Sequence, residues 1–239
     1  MIDDVPAFVP LRSQITVKGT PMSLSKLLAR VQKSFRMRRM RRFAAAFPRA
    51  ARLRILDVGG TPEIWSLLPG ARSVILLNTP RAEESRAAAA AGLQYVSGDG
   101  CRLPFDERAF DVVFSNSVIE HVGGAEAQEQ FARETMRTGR GYWVQTPNRY
   151  FPIETHLLTP FVHFLPADWR ASIVRRFTVW QLLNRPGTEE RRFYVEHFIS
   201  DIRLLSASEL QRLFPDAVIV RERFLGFTKS LIAYRPLRE

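Results

Sequence analysis

The chain carries a single cysteine, Cys101, in 239 residues. No internal disulfide can therefore form, and a reducing compartment, the cytoplasm, is expected. No apolar run approaches the ~18 residues that a membrane span requires. The first ten residues hold Asp3 and Asp4 and no basic residue, which is not the charge pattern of a secretory signal. Acids are missing altogether between Asp4 and Asp57, and lysine is scarce, at 4 of the 35 basic residues. Internal repeats and low-complexity segments are also lacking.

What is present is a soluble-protein composition, 46% hydrophobic and 25% charged, at a length suited to one well-buried domain. The net charge of +11 is unevenly placed. Residues 1–56 contain 13 Lys/Arg against Asp3 and Asp4, whereas residues 57–239 contain 22 charges of each sign. The chain is accordingly divided into a basic N-terminal segment, 1–50, and a domain over 51–239.

Thr20-Pro21 has the form of a helix start, a hydroxyl N-cap with proline at the first helical position. The helix expected from there to about Phe47 carries an apolar stripe of Leu24, Leu27, Leu28, Val31 and Phe35. Basic side chains occupy its other faces. Strands are expected at Leu53–Val58, Ser73–Leu77, Leu93–Ser97, Asp111–Ser115 and Tyr142–Gln145. Helices are expected at Pro80–Ala91 and Ala125–Thr138. Strand–helix alternation implies a parallel, doubly wound α/β sheet. Ser206-Ala207-Ser208-Glu209 is a capping box that opens another helix. Strands at Ala217–Arg223 and Thr228–Tyr234 follow, joined too tightly for anything but antiparallel pairing. Seven strands result, five parallel and a terminal hairpin. Residues 147–205 form an insertion rich in aromatics, a lid over the crevice, since connections in compact domains usually run ~4–6 residues.

Two acids stand at strand ends, Asp57 in Ile55-Leu56-Asp57-Val58-Gly59-Gly60 and Asp99 in Gly98-Asp99-Gly100-Cys101-Arg102-Leu103-Pro104-Phe105-Asp106. Both face the crevice where open α/β sheets bind ligands. The run from Asp99 through Phe110-Asp111 resembles the adenine-binding segment of class I S-adenosylmethionine (SAM) dependent methyltransferases, over residues 53–146. The resemblance implies SAM as cofactor. Asp57, Gly59 and Gly60 would receive its amino-acid part, although Thr61 and Glu63 replace the second and third glycines of the family loop. Asn78 stands where the family has an acid gripping the ribose, and an amide offers only one acceptor oxygen there. Asp99 would accept from the adenine amino group, beside Gly100 and Cys101. Ser115 and Asn116 lead from the fourth strand towards the methyl group.

His121, in a Glu-His pair like that of the family's small-molecule enzymes, is read either as the general base or as a wall of the cofactor pocket. Asn148, Tyr150, Glu154 and His156 are expected on the acceptor side. No metal is expected: His156 and His163, with Glu154 and Asp168, match no zinc spacing. The resulting reading is methyl transfer to the oxygen of a small apolar or amphiphilic acceptor, as in quinone and natural-product O-methyltransferases. A catalytically silent binding module and an RNA methyltransferase are the rivals. The basic helix over 21–47 has three readings, a cap on the cleft, a peripheral contact with anionic membrane, or a nucleic-acid contact, the last being disfavoured by the aromatic insertion.

Overall fold

The computed structural model describes residues 22–71, 73–79, 82–184, 186–189, 191–192, 195–196 and 202–237. The Thr20-Pro21 helix start and the Pro80 start of the third helix lie outside these residues, as do the side chains of Leu24, Leu27 and Leu28. The strands are β1 (Ile55–Val58), β2 (Val74–Asn78), β3 (Gln94–Ser97), β4 (Phe110–Asn116), β5 (Gly139–Pro147), β6 (Val218–Phe224) and β7 (Phe227–Arg235). They form one sheet in the order β3-β2-β1-β4-β5-β7-β6. Pairing is parallel from β3 through β5, and β7 runs antiparallel to both β5 and β6. The expected doubly wound architecture with a terminal hairpin is therefore present.

Alternate residues of the central strands enter two different cores, as the two-residue period of a strand dictates. Ile55, Val112 and Phe114 pack with α1 (Met22–Ala46), α2 (Pro62–Trp65) and α3 (Ala82–Ala90). Leu56, Val58 and Val113 pack on the other face with α4 (Ala125–Thr138) and α7 (Ala207–Leu213). The α7 capping box is formed: Ser206 Oγ accepts from the Glu209 N–H, and the Glu209 carboxylate accepts from the Ser206 N–H. Within the insertion, residues 153–154 and 159–160 make a two-stranded ribbon, followed by α5 (Ala167–Arg176) and α6 (Val179–Asn184). Leu157, Val162, Val174 and Val195 give it a small core of its own.

The boundary drawn at residue 50 crosses the first core. Met40 and Phe43 of α1 and Phe47 just after it are at most 2% exposed, and Phe43 meets Trp65, Phe114 and Trp143 edge-on at 5.2–6.0 Å. Arg39 is buried as well. Its guanidinium donates to Glu222 Oε2 of β6 at 2.6 Å and to Asn116 Oδ1 at the end of β4. Ser230 Oγ of β7 donates to the same Glu222 oxygen at 2.5 Å. Burial, the largest single influence, would raise the Glu222 carboxyl, but the Arg39 charge and hydrogen bond together with the Ser230 bond and the Lys229 charge hold the group below its ordinary value. The helix is thus a structural layer of the domain rather than a separable basic arm.

Removing one partner of a buried pair leaves a bare charge, so Arg39→Ala should lower the unfolding free energy by roughly 3–5 kcal/mol. Combining Arg39→Met with Glu222→Leu should recover most of that loss. Urea denaturation reads both; a loss under about 1 kcal/mol for Arg39→Ala would mean that the pair is not shielded from water.

Candidate active site

The carboxyl ends of β1, β2 and β4 meet where the sheet order reverses, and the loops that leave them build one crevice. Asp57 is fully buried and shares the strand face of Ile55, so its carboxylate turns towards α2. Its Oδ2 accepts from Trp65 Nε1 at 2.7 Å, while Oδ1 is buried without a hydrogen-bond partner. Burial pushes this carboxyl up to about 7 against the weaker pull of the Trp65 bond. The backbone turns directly over it. A Cβ on Gly60 would stand 1.8 Å from Asp57 Oδ2, and one on Gly59 (φ +73°) would stand 2.4 Å from Val118 Cγ2. Both glycines are required by space, although the loop lacks the alternating glycine pattern, and the Gly59–Val118 approach draws it towards the segment after β4.

Asn78 ends β2, 3% exposed, and its Nδ2 donates to the Gly60 carbonyl at 2.8 Å. Facing a carbonyl oxygen, that atom must be the NH2. The amide therefore clamps the loop that Thr61 and Pro62 have altered, and its Oδ1 remains buried without a partner. Asp99 is exposed, with Oδ1 accepting from the Cys101 N–H at 2.9 Å. Gly100 has no room for a side chain, since a Cβ would meet Phe131 and Val58 at 2.9 Å. Burial, with the Asp99 charge second, pushes the Cys101 thiol up to about 12. Its Sγ donates to the Ala127 carbonyl at 3.3 Å, so it is an unreactive wall. Ser115 is buried with Oγ donating to the Val58 carbonyl, a tie between β4 and β1. The Asn116 oxygen is taken up by Arg39. Both residues were expected at the cofactor, and these hydrogen bonds tie them to the sheet and to α1.

After β4 a short 3-10 turn, Ile119–His121, buries Glu120 and His121. The insertion brings His156 against them, with His121 Nε2 and His156 Nε2 3.2 Å apart. His156 Nδ1 lies 2.6 Å from Glu154 Oε1, and Glu154 Oε2 accepts from the His156 and Leu157 N–H groups at 2.8 and 2.6 Å. Burial by itself would lower the His156 imidazole, but the Glu154 carboxylate outweighs it and raises the group. Glu154 is held low in turn: burial pushes it up most strongly, but the His156 charge and hydrogen bond and the two backbone N–H bonds together overcome that push. Glu120 Oε2 accepts from Thr146 Oγ1 at 2.9 Å, its Oε1 lies 3.9 Å from His121 Nε2, and burial pushes the carboxyl up to about 7. Glu120, His121 and His156 are the group of such side chains, among the described residues, that lies close enough to share a cation, so the His156–His163 combination is not the one assembled. Both His156 nitrogens face protein groups, Glu154 on one side and His121 on the other, so the three side chains form one continuous array.

Asn148 and Tyr150 were the other two residues expected on the acceptor side. Asn148 roots the insertion, with Nδ2 donating to the Thr228 carbonyl at 2.8 Å and its N–H donating to the Lys229 carbonyl at 3.0 Å. Tyr150 is 64% exposed. Glu120, Thr146, Trp65 and Arg39 were not singled out from the sequence. Arg39 had a signal, because it continues the apolar stripe from Phe35 to Phe43 at a spacing of four.

A family model described as a methyltransferase domain matches residues 66–140, from α2 to the start of β5. A curated protein of Mycobacterium sp. (strain JLS), described as an uncharacterized methyltransferase, is 37% identical over 71 residues, 28% of this chain. The match spans 28% of that relative's length. Among solved structures, the YcgJ protein of Bacillus subtilis has a TM-score of 0.51 at 16% identity, over 80% of this chain and 71% of that one. A structure from Rhodobacter sphaeroides described as a putative Zn-dependent alcohol dehydrogenase also scores 0.51, at 10% identity over 77% and 84%. At these identities the likeness is one of fold.

The raised Asp57 gives a pH signature. A folded carboxyl near 7 and an unfolded one near 3.8 means that the native state holds the extra proton between them. Wild-type stability should then fall, relative to Asp57→Asn, as pH rises from about 4 to about 7. Parallel thermal melts would show it, and a constant difference across that window would place the Asp57 carboxylate in contact with water.

Proposed function

We propose that the protein transfers a methyl group from SAM to the oxygen of an apolar or amphiphilic small molecule. The observation that carries this reading is a convergence at the carboxyl edge. The Gly59-Gly60 turn, the unpartnered Asn78 Oδ1 and the exposed Asp99 lie on the β1–β2 side, and the buried Glu154–His156–His121 array lies beyond β4. The methyltransferase-domain match over the intervening segment supports it.

SAM, when bound, supplies an electrophilic methyl on a sulfonium, so the chain's own task is positioning and proton removal. Gly59 and Gly60 allow the backbone to approach the amino-acid part. Asn78 Oδ1 offers the ribose one acceptor, and Asp99 offers the adenine amino group another. His121 takes the acceptor's proton, which can pass across the 3.2 Å contact to His156 Nε2. The imidazolium so formed is stabilised by the Glu154 carboxylate at 2.6 Å. Catalysis therefore draws on His121 directly, with His156 and Glu154 as the groups that hold and orient the proton.

Calorimetric titration with S-adenosylhomocysteine tests the cofactor half. Asp99→Ala should weaken binding by about tenfold, the equivalent of one lost hydrogen bond. Asn78→Asp should weaken it as well, because a carboxylate would set oxygen against the Gly60 carbonyl. Unaltered affinity in both variants would remove these residues from the cofactor site, and binding without any methyl transfer would favour the silent module.

The proton path is tested by turnover, followed as label moved from methyl-tritiated SAM to phenolic or long-chain alcohols. His121→Ala should lower kcat by about 10²–10⁴-fold with S-adenosylhomocysteine affinity unchanged. Glu154→Gln removes the group that raises His156, so the rising limb of the pH–rate profile should move to lower pH and reach a lower plateau. A Glu154→Gln profile identical to wild type would disconnect the array from the chemistry.

A further inference from the structure

Large apolar side chains that face water are gathered at one end of this molecule. Ten of the eleven exposed ones, among the described residues, belong either to the insertion or to the β6–β7 hairpin tip. The insertion leaves the carboxyl end of β5 and returns at Leu205, which bridges to Asn148. The hairpin tip, Leu225-Gly226-Phe227, lies at the same edge, because β6 runs alongside β5 in the same sense through β7. Only Val218 of the eleven lies at the opposite edge, where β6 begins.

The exposure is organised. Trp169 and Ile173 of α5 and Phe177, the residue that ends it, recur at a spacing of four and are 68%, 39% and 52% exposed, while Val174 points into the insertion's core. Phe161 is 61% exposed although its backbone is left-handed at φ 58°, a strained setting for an aromatic residue. Leu225 is 80% exposed. Arg175 and Arg176 are exposed beside the α5 stripe, against Asp168 alone on that helix.

α1 supplies charge at the same edge. Phe35 meets Phe224 at 5.6 Å, at the end of β6, and Phe47 lies against Gly141 in the amino-terminal half of β5. The helix therefore runs down the sheet from the carboxyl edge. Residues 22–34 continue beyond that edge, a reach of about 20 Å at 1.5 Å per residue. Arg30, Lys33 and Arg38 are exposed, and α1 contains no acid.

We propose that this edge docks on an anionic lipid bilayer, with the mouth of the crevice turned to the membrane. Apolar side chains ringed by arginine match the boundary between headgroups and acyl chains. Negative phospholipid is the complement of an acid-free helix, whereas a second copy of the chain would bring the same positive charge against it. The surface differs from a basic helix lying alone on lipid, since one face of α1 is committed to the sheet and the apolar contact comes from the insertion and hairpin tip. It deepens the methyl-transfer reading by supplying an acceptor held in the membrane.

Sedimentation of the full chain with phosphatidylglycerol-containing phosphatidylcholine vesicles, without cofactor, tests the surface. Binding should appear with these vesicles, be much weaker with pure phosphatidylcholine, and fall as salt rises. Arg30→Gln/Lys33→Gln/Arg38→Gln should reduce partition roughly 10²-fold, a factor of about five per residue. Trp169→Gln/Ile173→Gln/Phe177→Gln should reduce it at least about tenfold, with circular dichroism confirming that each variant folds. Wild-type partition in both variants, or no binding to anionic vesicles at physiological salt, would overturn the proposal. So would light scattering that shows a dimer abolished by the apolar variant while vesicles stay unbound, since the patch would then join two copies. Failure here leaves methyl transfer to a soluble acceptor intact, and lipid binding by a chain that takes up no S-adenosylhomocysteine would sink the methyl-transfer reading alone.

Discussion

One buried cation fastens the carboxyl edge of the sheet. Arg39 reaches from α1 to Asn116 at the end of β4 and to Glu222 on β6, and Ser230 of β7 closes the same network. These contacts join residues up to 183 positions apart in sequence. A buried pair of this kind adds little net stability over an apolar replacement, but it tolerates no wrong partner. Its effect is to set where α1 crosses the sheet. The depth at which Phe43 and Phe47 enter the core follows from it, as does the length of helix standing beyond the edge.

The second constraint is space under the β1 loop. Asp57 lies so close beneath Gly60 that no side chain fits there, and the Asn78 amide holds the Gly60 carbonyl from the other side. A loop without the alternating glycines of the methyltransferases it resembles is thereby kept in a tight turn. Asn78 is best understood as a donor recruited by that altered loop. Its Oδ1, buried without a hydrogen-bond partner, is the acceptor left over once the loop has been secured.

Elements whose local and global preferences agree were legible in the sequence. The α4 span, the capping box of α7 and all seven strands fall within a few residues of their expected places. The seams were not. Arg39 was concealed among the many basic residues of α1, and only its place on the stripe between Phe35 and Phe43 marks it as buried. Ser115 and Asn148 carry side chains that suit ligands equally well, yet the structure spends them on backbone carbonyls. The partnership of His121 with His156 depends on a fold of the insertion that no periodicity encodes. The Glu154 carboxylate, accepting from two backbone N–H groups just downstream, shows how that fold is pinned.

In the proposed reaction the two halves of the crevice act on one molecule. A crystal structure with S-adenosylhomocysteine bound tests that claim most directly. It should show the adenine beside Asp99, the ribose within hydrogen-bond reach of Asn78 Oδ1, and the sulfur open towards His121 and His156 with room for one acceptor atom between. Finding the sulfur walled off from the histidine pair, or the nucleoside seated away from Asp99 and Asn78, would contradict it.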